Sequence, residues 1–186
     1  MAQRPDTLFL VGPTGSGKTT MGRRVAGHLG LRFYDCDEEI ERRTGASITL
    51  IFDVEGEAGF RQREAQVLEE LAQLSGVLIA TGGGAVLRPA NRRLMQERGF
   101  VIWLQTTVDQ QMQRLELDRT RPLLQTTNRR ASLEEQARLR DPLYAEVADL
   151  EFRSGDHSAR HMARELTRTL LEHWDKASQE TSHATH

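Results

Sequence analysis

Apolar positions fall into short solid runs separated by longer stretches with helical spacing. Thr7–Val11 (TLFLV), Val77–Ala80 (VLIA) and Phe100–Leu104 (FVIWL) predict strands buried on both faces. Arg32–Asp35 and Leu150–Phe152 predict two shorter strands. Helices are expected at Lys18–Leu29, stopping near Gly30, and as two short pieces at Asp37–Arg43 and Ile48–Asp53 on either side of Thr44-Gly45. Gly56–Ser75 carries a longer amphipathic pattern on Phe60, Val67, Leu68, Leu71 and Leu74. Pro89–Arg98 has its proline in the first turn. Val108–Leu117, Ser132–Arg140 and Ser158–Asp175 complete the set, with Ser132 as an N-cap and Glu135 at capping-box spacing. Asp118–Arg130 is polar and aperiodic and reads as a loop or a lid.

Strands that alternate with helices imply a parallel sheet covered on both faces, with ligands at the carboxyl ends of the strands. Three segments fall at that edge: the glycine loop after the first strand, Asp35–Asp37 after the second, and Gly82–Gly84 after the third.

Length and composition narrow the reading. A chain of 186 residues fits one domain, expected over 1–176, followed by a polar, disordered tail at 177–186. No internal repeat is present, and no run approaches the roughly 20 apolar residues of a membrane span. The first apolar run leads straight into the glycine loop, as a strand does rather than a secretory leader. A single cysteine, Cys36, allows no internal disulfide and fits a reducing, cytoplasmic setting. The 25 basic and 27 acidic residues nearly cancel, and aromatics are 5%, so neither a basic patch nor a stacking surface for nucleic acid is indicated. Only Lys18 and Lys176 are lysine; the other cations are arginines, suited to bidentate capture of carboxylate and phosphate. The six histidines form no metal-ligand set; His157 and His161 are four apart but lack a third partner.

Gly12-Pro13-Thr14-Gly15-Ser16-Gly17-Lys18-Thr19 matches G-x-x-x-x-G-K-[ST] at every fixed position, between a predicted strand and a predicted helix. Its backbone N–H groups can turn inward onto phosphate oxygens, aided by the helix dipole. Lys18 would reach the β- and γ-phosphates, and the Thr19 hydroxyl would ligate Mg²⁺. The third strand ends in threonine and glycines, so another carboxylate must serve the metal, and Asp35 is the candidate. No lysine is placed for the N-K-x-D base-reading motif of a GTPase. In Asp35-Cys36-Asp37 an extended backbone would put both carboxylates on one face and Cys36 on the other. Asp37 could equally cap the following helix.

With these segments assembled, the chain resembles the shikimate kinases. Six segments in order over about residues 7–172 carry the likeness: the phosphate loop, Asp35-x-Asp37, Gly59-Phe60-Arg61-x-x-Glu64, Gly82-Gly83-Gly84, Arg121-Pro122-Leu123-Leu124, and Arg140-Asp141-Pro142-Leu143-Tyr144. The resemblance implies an α/β, three-layer P-loop fold with a five-stranded parallel sheet flanked by helices, and a mobile lid at about 118–130. It implies transfer of the γ-phosphoryl of ATP to the 3-hydroxyl of shikimate, giving shikimate 3-phosphate and ADP in chorismate and aromatic amino acid biosynthesis, by a monomer. Lys18, Asp37 and Arg121 would be catalytic. Gly12, Gly15, Ser16, Gly17, Lys18, Thr19, Thr20, Arg114, Arg121 and Arg153 would hold ATP, with Arg114 over the adenine and the Arg153-Ser154 loop at its edge. Asp37, Arg61, Glu64, Gly82, Gly83, Gly84 and Arg140 would hold shikimate, Arg61 and Arg140 clamping its carboxylate. Thr19, and Asp35 through water, would hold Mg²⁺. A gluconate kinase would share the loop and fold without needing two converging arginines, Asp37 and the glycine triplet. A non-catalytic nucleotide-binding module should have lost Lys18, Thr19, Asp37 or Arg121, and all are present.

Overall fold

The computed structural model describes residues 5–116, 128–153, 155 and 157–183, with backbone alone for 176–183. The order is β1 (Thr7–Val11), α1 (Lys18–Leu29), β2 (Arg32–Asp35), α2 (Cys36–Thr44), α3 (Ile48–Leu71), β3 (Val77–Ala80), a 3₁₀ turn (Ala85–Leu87), α4 (Pro89–Arg98), β4 (Phe100–Gln105), α5 (Val108–Glu116), α6 (Arg129–Val147), β5 (Leu150–Arg153) and α7 (Ala159–His183). The five strands form one parallel sheet in the order β2-β3-β1-β4-β5.

The solid apolar runs are explained by two cores. Successive side chains on a strand point to opposite faces. Phe9 and Val11 therefore pack with Ile79, Val101 and the inner faces of α2, α3, α4 and α6. Leu8 and Leu10 pack with Leu78, Ile102, Leu104 and the inner faces of α1 and α7. From β1 the chain passes to β2 on one side, and from β3 it crosses to β4 on the other. The crevice where those directions diverge lies between the carboxyl ends of β1 and β3, where the phosphate loop and the glycine triplet emerge.

Four local expectations change. The two helices expected at Ile48–Asp53 and Gly56–Ser75 meet end to end as α3, with a kink at Gly56 (φ 72°, ψ −179°). That backbone conformation is open to glycine and closed to nearly every other residue, so the break in the pattern survives as a bend. Asn128, not Ser132, caps α6: its side chain accepts from the Ala131 N–H. Arg129 and Arg130 are thus helical rather than the end of a loop, and Glu135 pairs with Arg138 instead of closing a capping box. α6 also runs on through Pro142 to Val147. Finally, α7 continues to His183, where the sequence leads one to expect an unstructured tail from Ala177. Most of the expected lid, residues 118–127, lies outside the described residues.

The two-sided core makes a direct prediction. Leu166 on α7 is fully buried, whereas Leu50 on α3 is half exposed. Leu166→Ala should lower unfolding free energy by about 2–5 kcal/mol, and Leu50→Ala by less than about 0.5 kcal/mol, as read from urea midpoints.

Candidate active site

The phosphate loop leaves β1 and turns into α1. Gly17 is the N-cap of α1 and makes no side-chain cap bond, and the first turn carries no acidic residue. The helix's own first turn therefore places no acid at its positive end, which suits an anion there. Gly15 and Gly17 hold positive φ (79° and 88°), which turns the amides inward. Lys18 Nζ donates to the carbonyls of Gly12 (2.7 Å) and Pro13 (2.9 Å), so its charge is held across the mouth of the loop. Ser16 is buried, and its N–H donates to the Pro13 carbonyl.

Helix α5 braces the same loop from outside. Gln111 Nε2 donates to the Thr14 carbonyl (2.7 Å) and Arg114 Nη1 to the Gly15 carbonyl (2.9 Å). Arg114 is thus tied to the phosphate loop itself. Gln111 was not singled out in the sequence; its signal is a polar residue that the fold buries to 3% exposure. Thr20, in the first turn of α1, and Arg153, ending β5, are exposed. Arg121 and Ser154 lie outside the described residues.

Asp35 settles the two readings of the Asp35–Asp37 segment. Its Oδ1 accepts from the N–H groups of Asp37 (2.9 Å) and Glu38 (3.2 Å), so Asp35, and not Asp37, is the N-cap of α2. Its Oδ2 accepts from the Thr19 hydroxyl at 2.6 Å. Asp37 sits in the first turn of α2 rather than on an extended strand end, yet both carboxylates still line one cavity. Cys36 points into the core, and burial pushes its thiol well above the ordinary range, with the neighbouring Asp37, Asp35, Glu64 and Glu39 charges adding to the effect.

That cavity holds about 580 Å³ and runs from Thr14 and Thr19 to α2, α3 and α6. Its floor is the glycine triplet. A Cβ on Gly84 would stand 2.2 Å from Arg61 Nη2, one on Gly82 2.4 Å from Glu64 Oε1 and 3.1 Å from Asp37 Oδ1. One on Gly83 would stand 3.3 Å from the Thr14 nitrogen and 3.5 Å from Arg140 Nη1. The absent side chains are what allow four charged residues and the phosphate loop to converge on one stretch of backbone. Phe52 and Phe60, with ring centroids 4.5 Å apart, form an apolar wall.

Within this set, Glu64 is fully buried. Its Oε2 accepts from Arg61 Nη1 at 2.8 Å, while Oε1 has no hydrogen-bond partner among the described residues. Burial pushes its carboxyl above the ordinary range; Arg61 pulls it down, the Asp37 charge pushes it up, and Arg140 pulls it down. An anion entering between Arg61 and Arg140 meets two guanidiniums on a surface already lined by carboxylates. The Thr19–Asp35 pair presents only hard oxygen atoms, the donor chemistry of Mg²⁺, which keeps most of its waters and needs no protein cage. Consistently, no cluster of three or more His, Cys, Asp or Glu able to hold a metal occurs among the described residues, where His157 and His161 only stack on each other.

A family model described as "Shikimate kinase" matches residues 14–171. A shikimate kinase of Thioalkalivibrio sulfidiphilus is 52% identical over 161 residues, covering 87% of this chain and 85% of that one. One of Vibrio parahaemolyticus is 50% identical over 165 residues, covering 89% and 96%. Among solved structures, the shikimate kinase from Acinetobacter baumannii in complex with shikimate superposes with a TM-score of 0.87 at 45% identity, covering 91% of this chain and 94% of that one. A gluconokinase from Sinorhizobium meliloti, at 19% identity and a TM-score of 0.60, shares the fold.

The raised Glu64 carboxyl has a signed consequence. A carboxyl that holds its proton more tightly in the folded state stabilises less as pH rises above the usual 4.5 into its raised range. Glu64→Gln removes that dependence. The difference in unfolding free energy, variant minus wild type, should therefore shift in favour of the variant as pH rises through this window, measured by urea titrations in steps from pH 4.5 to pH 7.

Proposed function

The chain belongs to the shikimate kinase family, and from that premise we propose how its residues carry the γ-phosphoryl group of ATP to the 3-hydroxyl of shikimate. One observation carries the assignment of roles: Arg61, Arg140 and Asp37 surround the glycine triplet directly beside the phosphate loop. That arrangement suits a small acceptor with one carboxylate and several hydroxyls.

The acceptor carboxylate lies between Arg61 and Arg140. Glu64 holds Arg61 in place through Nη1, and its second oxygen accepts from a ring hydroxyl. The Gly82–Gly84 backbone supports the ring at the close distance that missing side chains permit. Asp37, held in the first turn of α2 by the Asp35 cap, accepts a hydrogen bond from the attacking hydroxyl and takes its proton as the new bond forms. The transition state of phosphoryl transfer is loose, so alignment and charge neutralisation outweigh base strength.

On the donor side, backbone N–H groups of the loop from Gly15 to Thr19 at the start of α1 bind the phosphates, and Lys18 turns from the loop carbonyls to the β- and γ-phosphate oxygens. Gln111 and Arg114 keep the loop in shape while they do so. Thr19, and Asp35 through water, would hold Mg²⁺. When bound, Mg²⁺ supplies neutralisation of phosphate charge during transfer. Arg121, which lies outside the described residues, would add a further cation to the phosphates. Thr20 and Arg153 contribute to the rim of the nucleotide site. The enzyme would act as a monomer, as the resemblance implies, and the buried free thiol of Cys36 suits a cytoplasmic setting. No helix among the described residues is long and apolar enough to cross a membrane.

Two outcomes are expected. ADP release from ATP and Mg²⁺ should depend on shikimate, stay at background with gluconate, and fall by about 10²–10⁴-fold in kcat in Asp37→Ala. Equal release with shikimate, gluconate and no acceptor would overturn the reading. Arg140→Ala should raise the KM for shikimate by about 10²-fold, the loss of a charge-assisted pair, and the KM for ATP by less than about threefold in steady-state assays.

A further inference from the structure

Helix α6 carries Arg140 and, one turn later, Tyr144, so both project from the same helix face. Tyr144 has no exposure to solvent, and its ring packs against Trp103 with centroids 5.8 Å apart. A phenylalanine would fill that space without burying a polar atom. The hydroxyl has a specific use: it donates to the Gly83 carbonyl, the central peptide of the glycine triplet. The Arg140 guanidinium stands beside the same hydroxyl, and also within reach of Gly83, where a Cβ would lie 3.5 Å from Arg140 Nη1. Three groups thus meet at the cavity wall: the triplet backbone, the Arg140 guanidinium, and a buried phenol that reaches both. Burial raises the phenol pKa above its ordinary range against the opposing pull of Arg140, so the group stays a neutral donor at physiological pH.

We propose that Tyr144 is a positioning residue of the acceptor site: its hydroxyl fixes Gly83 and Arg140 relative to one another and thereby sets affinity for the acceptor carboxylate. The inference rests on the clamp role of Arg140 described above. Without the hydroxyl, the Gly83 carbonyl loses its buried donor and the triplet can rotate away from the ring it supports. Arg140 likewise loses the fixed dipole beside it. Gly83 also lies against Thr14, but the phosphate loop has its own brace in Gln111 and Arg114 of α5, so the loss should fall mainly on the acceptor side.

The test uses the full chain with ATP, Mg²⁺ and shikimate, comparing wild type, Tyr144→Phe and Trp103→Phe. Tyr144→Phe deletes one atom and keeps the ring; Trp103→Phe disturbs the packing against that ring and keeps the hydroxyl. Tyr144→Phe should raise the KM for shikimate about tenfold, with kcat and the KM for ATP changed by less than about threefold. Trp103→Phe should leave the KM for shikimate within about twofold. Independently of turnover, the rise in thermal midpoint on adding saturating shikimate should be smaller in Tyr144→Phe than in wild type, while the rise with ADP and Mg²⁺ should be equal. An unchanged shikimate KM and midpoint rise in Tyr144→Phe overturns the proposal. So does a matching loss in Trp103→Phe, which would make the residue a packing element. If wild type itself released no ADP in response to shikimate, the family reading of the site would fail first, and this inference with it.

Discussion

The acceptor half of this molecule depends on one constraint: the backbone at 82–84 must carry no side chains. Three helices that belong to different parts of the chain, α2, α3 and α6, each bring a charged group onto that backbone. Arg61 would collide with any side chain at Gly84, Glu64 with one at Gly82. Because the triplet follows β3 and β3 lies beside β1, the same backbone also touches the phosphate loop. Sheet order therefore places the two half-sites in contact, and the missing Cβ atoms set how close their charged groups can come.

Electrostatics then decides what may occupy the space. The described cavity wall combines six carboxylates, Asp35, Asp37, Glu38, Glu41, Glu57 and Glu64, with Arg61 and Arg140, and Glu64 is deeply buried. Burial alone would favour a neutral Glu64; Arg61 bonds its ionised form, and Asp37 opposes that ionisation. In the proposed reading Arg61 and Arg140 are the groups that an acceptor carboxylate would meet, and a neutral sugar would leave them facing only the wall's own acids. The remaining oxygen of Glu64 has no hydrogen-bond partner among the described residues, so it can accept from a hydroxyl in the cavity.

Much of this was legible in the sequence, because it depends on local rules. Solid apolar runs identified the strands, and the phosphate loop announced itself by glycine spacing beside a single well-placed lysine. The resemblance then brought Arg61, Glu64 and Arg140 to a shared site that no local pattern could have assembled, since they are joined by sheet order and helix packing. What escaped were choices between equivalent polar residues. Asn128 and Ser132 are both competent caps, and only the tertiary path of α6 selects the earlier one. Asp35 and Asp37 likewise compete for one cap, and the choice turns on Thr19 reaching the former. Gln111 was hidden because a polar side chain on an amphipathic helix gives no hint that its partner is a loop carbonyl almost a hundred residues away.

Asp35 also bears on how such enzymes can diversify. One oxygen of its carboxylate answers to the nucleotide loop through Thr19, and the other fixes the helix that presents Asp37. Donor and acceptor handling are therefore not separable cassettes. A lineage that exchanged α2 and α3 to accommodate a new alcohol would have to retain this one carboxylate or rebuild both halves together.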